Sequence, residues 1–190
     1  MEKNIIITAI ILLISSAGWT QSFGFFAESS ILPEIMAKTD IEDIPVKTPG
    51  ITQTGFYFLD RGKYTEGGLY FASTRGMSET LRGQTTPEGW ELGILTGIKI
   101  IDIFNWLKAG IDLKIGAGTI QIYSDYGFIR ELITGTFEAT GEITIQATDW
   151  FYISGFAGYQ IIGNYSPGKP FADFLSYSPV LGIRLALGER

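Results

Sequence analysis

The sequence contains no cysteine and no histidine. Without cysteine there is no disulfide framework, no thiolate metal site and no lipid-bearing N-terminal cysteine. Without histidine, every catalytic triad, dyad or metal site that relies on imidazole is excluded. Charge is also sparse, at 18% of residues, where ordinary soluble domains carry about 25%. Basic residues are outnumbered 14 to 20, for a net charge of −6, so a phosphate backbone would be repelled and no nucleic-acid partner is expected. No apolar run beyond the N-terminus approaches the roughly 18 residues of a membrane-crossing helix. What the chain has in plenty is glycine, 24 of 190 residues, and aromatics, 14%. At 45% hydrophobic it is too apolar for disorder and long enough for one domain with its own core.

The first residues read as an address. Lys3 and Asn4 precede an apolar run from Ile5 to Ile14, broken only by Thr8, and then come Ser15, Ser16, Ala17 and Gly18. A basic start, a short apolar centre and small residues at Ser15 and Ala17 predict a secretory signal peptide over residues 1–17, cut before Gly18. As a helix the run covers only about 15 Å of a roughly 30 Å hydrocarbon layer, so an anchor is the poorer reading. Residues 18–190 are expected to form a single domain.

Beyond that point the polarity repeats every second residue. Leu107, Ala109, Ile111, Leu113, Ile115 and Ala117 alternate with Lys108, Gly110, Asp112, Lys114, Gly116 and Gly118. No helical face collects such a set, whereas the two faces of a strand do. The same rhythm runs through Trp90–Ile100, Phe137–Ala147, Phe151–Gly163 and Tyr177–Gly188, and more loosely through Trp19–Ser29, Ile51–Leu59 and Gly67–Arg75. The expectation is eight strands. Short turns lie at 60–66, 102–105 and 148–150. Long, solvated loops are expected at 30–50, 76–89, 120–130 and 164–175, where Pro, Gly and charge gather.

Eight antiparallel strands in sequence remove both sheet edges by closing into a barrel. Which face is wet decides the class. The polar face mixes many glycines with near-balanced charges: Glu28, Glu91, Asp112, Glu138 and Glu142 against Lys99, Lys108, Lys114 and Arg184. Small residues between paired charges suit a crowded interior, while the apolar face suits lipid. Trp19, Trp106 and Trp150, with Phe151 beside the last, all fall at the short-turn end, as an interfacial aromatic girdle would. The fold expected is therefore all-β: an eight-stranded antiparallel up-and-down transmembrane β-barrel.

In its signal peptide, its mature length, its eight alternating strands and its three tight turns, the chain resembles the small bacterial outer-membrane barrels of the OmpA-transmembrane-domain, OmpX and OmpW type. The resemblance is architectural and rests on no diagnostic motif. It implies a bacterial outer-membrane location, the lipid bilayer and the outer-membrane assembly machinery as partners, and loops turned to the outside. Such barrels usually end on an aromatic residue, whereas this sequence ends Leu187-Gly188-Glu189-Arg190.

Chemistry is hard to find. Glu138 and Glu142 share the inward face but stand about 13 Å apart along one strand, too far for a shared-proton dyad. Asp40-Ile41-Glu42-Asp43 offers oxygen ligands without the spacing or central glycine of a calcium loop and reads as a solvated acidic loop. No catalytic residue, metal site or cofactor is expected. The leading expectation is a non-enzymatic outer-membrane barrel with a structural or surface-contact role through four long extracellular loops, the charged lumen being closed and any extracellular ligand or host surface being unidentified. A narrow channel for small solutes or ions is the second reading. A soluble periplasmic lipocalin-like barrel, with the apolar face inside and an apolar ligand bound there, is the third.

Overall fold

Side chains that alternate in polarity are sorted by strand geometry onto opposite faces, and the described residues form nine strands. They are β1 (Ser22–Ser30), β2 (Ile35–Lys38), β3 (Asp43–Arg61), β4 (Thr65–Thr80), β5 (Gly83–Ile103), β6 (Leu107–Ser124), β7 (Gly127–Thr148), β8 (Phe151–Ser166) and β9 (Lys169–Gly188). The computed structural model describes residues 22–30, 35–38, 43–61, 64–80, 83–103, 106–124, 127–166 and 169–188.

Eight of these strands close a barrel. β3 to β9 pair antiparallel in sequence order, and β1 lies between β3 and β9. The short β2 pairs only with β3, outside the closed wall. The closure is staggered. From Phe23 the partners run Phe58, Leu69, Ile94, Ile115, Phe137, Ile161 and Tyr177, yet Phe23 itself pairs with Leu187, ten residues further along β9. With a rise of about 3.3 Å per residue and about 4.8 Å between strands, that stagger tilts the strands by roughly 40°. An eight-stranded barrel of this tilt is only wide enough for its own side chains.

The short turns are tied down by backbone bonds. Lys99 N–H donates to the Tyr64 carbonyl at 2.8 Å, Gln146 N–H to Trp106 at 2.8 Å and Gly188 N–H to Trp150 at 3.0 Å. At the opposite end the expected loops are replaced by hairpins. β4 and β5 pair out to Thr80 and Gly83, β6 and β7 to Ser124 and Gly127, β8 and β9 to Ser166 and Lys169, and β2 folds back on β3. Proline, glycine and charge mark these stretches as loops, whereas the backbone of their described residues is paired. Each added strand pair satisfies backbone donors and acceptors that would otherwise depend on water. Pro87, which has no N–H to give, is accommodated where the β4–β5 ladder skips from Arg75–Glu88 to Ser78–Thr85. Gly127 supplies the positive φ, 118°, that the β6–β7 turn requires.

Candidate functional site

The two faces of the wall are inverted relative to a soluble protein. Ile111 is 50% exposed, Ile115 57% and Leu181 68%, while the charged side chains between them point inward and are buried. Exposed Ile, Leu and Phe residues form a continuous outer belt on β5, β6, β7 and β9, including Leu92, Ile94, Ile98, Phe137, Ile143, Ile183 and Leu185. Trp106 and Trp150 stand exposed at its short-turn margin, with Phe151 half-buried beside them. Trp90, Tyr159 and Tyr177 are exposed toward the other margin. The stagger and the strand rise place Trp90 roughly 25–30 Å above Trp106 along the barrel axis. Trp19 lies outside the described residues, as do Asp40, Ile41 and Glu42.

Inside, the charges fall into two layers. In the layer nearer the short turns, the Arg184 guanidinium on β9 donates to Asp112 on β6 and Glu142 on β7. Its flat face rests over the Phe156 ring, 4.3 Å from the ring centre. Thr144 steadies Glu142 with a 2.6 Å hydrogen bond and meets Ser154 at 2.8 Å. Glu66 completes the layer. Its carboxylate and those of Asp112 and Glu142 lie within 4.8 Å of one another, and Lys99 stands 3.7 Å from Glu66. Lys108 lines the same region, beside a cavity of only about 10 Å³, which is space for about one water.

The second layer is centred on Lys114, 2% exposed. Its ammonium donates to Glu28 on β1, lies 2.7 Å from Glu138 on β7 and reaches Gln53 on β3 at 3.4 Å. The rings of Phe26 and Tyr70 each lie 5.3 Å away, a geometry in which ring faces attract a cation. Tyr70 donates its hydroxyl to Glu91, whose other oxygen accepts from Thr136 at 2.6 Å. Gln53 in turn donates to Thr74 at 3.1 Å. Glu138 and Glu142, neighbours on one face of β7, thus serve different cations.

The structure places all nine charged residues read from the alternation on the inner face, seven of them buried, with Lys99 and Lys108 half-buried. It adds members that the alternation did not single out. Glu66 falls in the turn expected at 60–66, yet it lies in β4 and shares the inward parity of Tyr70, Ala72 and Thr74. Phe26, Tyr57, Leu59, Tyr70 and Tyr152 form an apolar and aromatic cluster within the lumen. Glycine makes this filling possible. A Cβ at Gly116 would collide with the Tyr70 hydroxyl and the Glu91 carboxylate, and one at Gly182 with the Phe156 ring.

The arrangement holds charge in pairs and packs aromatic rings among them. No protein-family model and no curated protein matches the sequence. Among solved structures the chain is similar to Ail, the attachment invasion locus protein of Yersinia pestis, at 15% identity, with a TM-score of 0.48, over 87% of this chain and 97% of that one. It is similar to Neisserial surface protein A at 12% identity, with a TM-score of 0.46, over 86% and 96% of the two chains. It is also similar to the outer membrane protein OprG from Pseudomonas aeruginosa at 11% identity, with a TM-score of 0.46, over 89% and 97%. The resemblance to these proteins is one of architecture.

Proposed function

We propose that this chain is a non-enzymatic bacterial outer-membrane barrel whose lumen is closed and whose outer hairpins meet the cell's surroundings. The observation that carries the reading is the inversion of the wall: paired Lys114 and Arg184 inside, a belt of exposed Ile, Leu and Phe outside. A soluble protein seldom exposes an apolar patch above a few hundred Å², and this belt runs across β5, β6, β7 and β9. In a bilayer the same belt is solvated by lipid, and closure pairs the strands around the wall so that it has no open sheet edge. The aromatic margins match the interfacial positions where Trp and Tyr are favoured.

The alternative of a narrow channel requires a continuous water path. Against such a path, Phe26 and Tyr70 flank Lys114, Tyr57 packs against Phe26, and Phe156 lies against Arg184. Reconstituted in planar bilayers, the protein is expected to show no steady conductance above the bare membrane. Reproducible unitary current steps would overturn the closed-lumen reading.

A further inference from the structure

The lumen's hydrogen bonding is lopsided. On the β3–β6 side the polar chain from Thr74 through Gln53 to Lys114, and from Tyr70 through Glu91 to Thr136, is closed by direct bonds. On β1, β7, β8 and β9, which are neighbours in the wall, several buried polar atoms meet no partner among the described residues: Glu28 Oε2, Glu138 Oε1, Thr140 Oγ1, Gln160 Nε2 and Ser178 Oγ. Three of these residues form one row across the sheet, Glu138 beside Gln160 and Gln160 beside Ser178. Paired positions of this kind bring side chains to within about 5 Å at Cβ on the same face. Gln160 is 1% exposed and Ser178 0%.

Orphan groups so deeply buried each cost a full desolvation penalty unless something bonds them. The set contains acceptors on Glu138 and Glu28, a donor on Gln160, and a hydroxyl on Ser178 that does either. A cation would satisfy the oxygens and oppose the amide N–H; water satisfies both kinds, and it needs only two to four such partners. We propose that the β7–β8–β9 wall of the lumen is a binding site for internal water, with a solvent molecule bridging Glu138, Gln160 and Ser178. On this assignment the barrel is hydrated along one wall and packed along the other, so that closure to ions and a wet interior coexist.

The test turns on the sign of a stability change. The variants Ser178→Ala and Gln160→Met are refolded into lipid vesicles and titrated with urea beside the unaltered chain. With bridging water, each substitution removes one of its ligands. The unfolding equilibrium constant should then rise by about five- to tenfold for either variant, and the double variant should lose less than the two effects combined, because one molecule is shared. In a dry wall, deleting an unbonded polar group stabilises the barrel, so equal or raised urea midpoints would overturn the proposal. Ser178→Ala removes a single oxygen and carries the sign test alone should Gln160→Met fail to insert.

Discussion

Lys114→Met is expected to be the most damaging single substitution in the barrel, lowering its stability by about 3–5 kcal/mol. The ammonium is the shared partner of Glu28 and Glu138 and also bonds Gln53. Methionine has nearly the same reach but leaves two buried carboxylates facing each other without a cation. The cost therefore comes from the uncompensated charges rather than from lost packing. A triple variant separates the two causes. Adding Glu28→Gln and Glu138→Gln to Lys114→Met removes the stranded charges, and replacing a whole buried ion cluster is often nearly neutral. The triple variant should therefore recover most of the loss in a urea titration. If it is no more stable than Lys114→Met alone, the lysine acts by filling space and the ion-pair reading of the lumen fails.

Ile111→Arg is expected to obstruct insertion. The side chain is 50% exposed on the outer face of β6, one residue from the buried Asp112, and it lies within the apolar belt rather than at its margins. An arginine facing lipid near the midplane costs about 2–4 kcal/mol, falling to about 0–1 near the interface. Thr86 on β5 lies beyond Trp90, outside the belt, so Thr86→Arg should insert as the unaltered chain does. Folding yield into vesicles, measured for both variants at increasing urea, checks the contrast. Equal yields would show that Ile111 does not face lipid.

The ease of reading different parts of the barrel from sequence follows from what fills the lumen. On β6, β7 and β9 most inner positions are charged, polar or glycine (Ile120, Val180 and Ala186 are the apolar exceptions among the buried residues), so they contrast with Ile111, Ile143 or Ile183 opposite, and parity sorts the faces. On β3 and β4 the inner positions include Tyr57, Leu59 and Tyr70. Both faces of those strands are then apolar, and the alternation blurs. Glu66 was lost for the related reason that its strand begins one residue earlier, inside what reads as a turn. Partner choice was not legible at all. Lys114 faces Glu138 directly across the β6–β7 register, but that it also takes Glu28, while Arg184 takes Asp112 and Glu142, depends on a stagger of ten residues accumulated around the wall, and no local pattern encodes it. The outer hairpins escaped detection because their composition reports solvent, whereas their pairing is carried by the backbone.

The central claim is that the apolar belt faces lipid, and refolding tests it most directly. Residues 18–190 are diluted from urea into buffer or into lipid vesicles, and each product is run unheated and boiled on a detergent gel. The expected result is a β-rich species that forms only with vesicles and migrates differently before and after boiling. A monomer that folds in buffer without lipid would contradict the claim, since the belt around Ile111, Ile115 and Leu181 would then have to be buried and the inside and outside of the barrel exchanged.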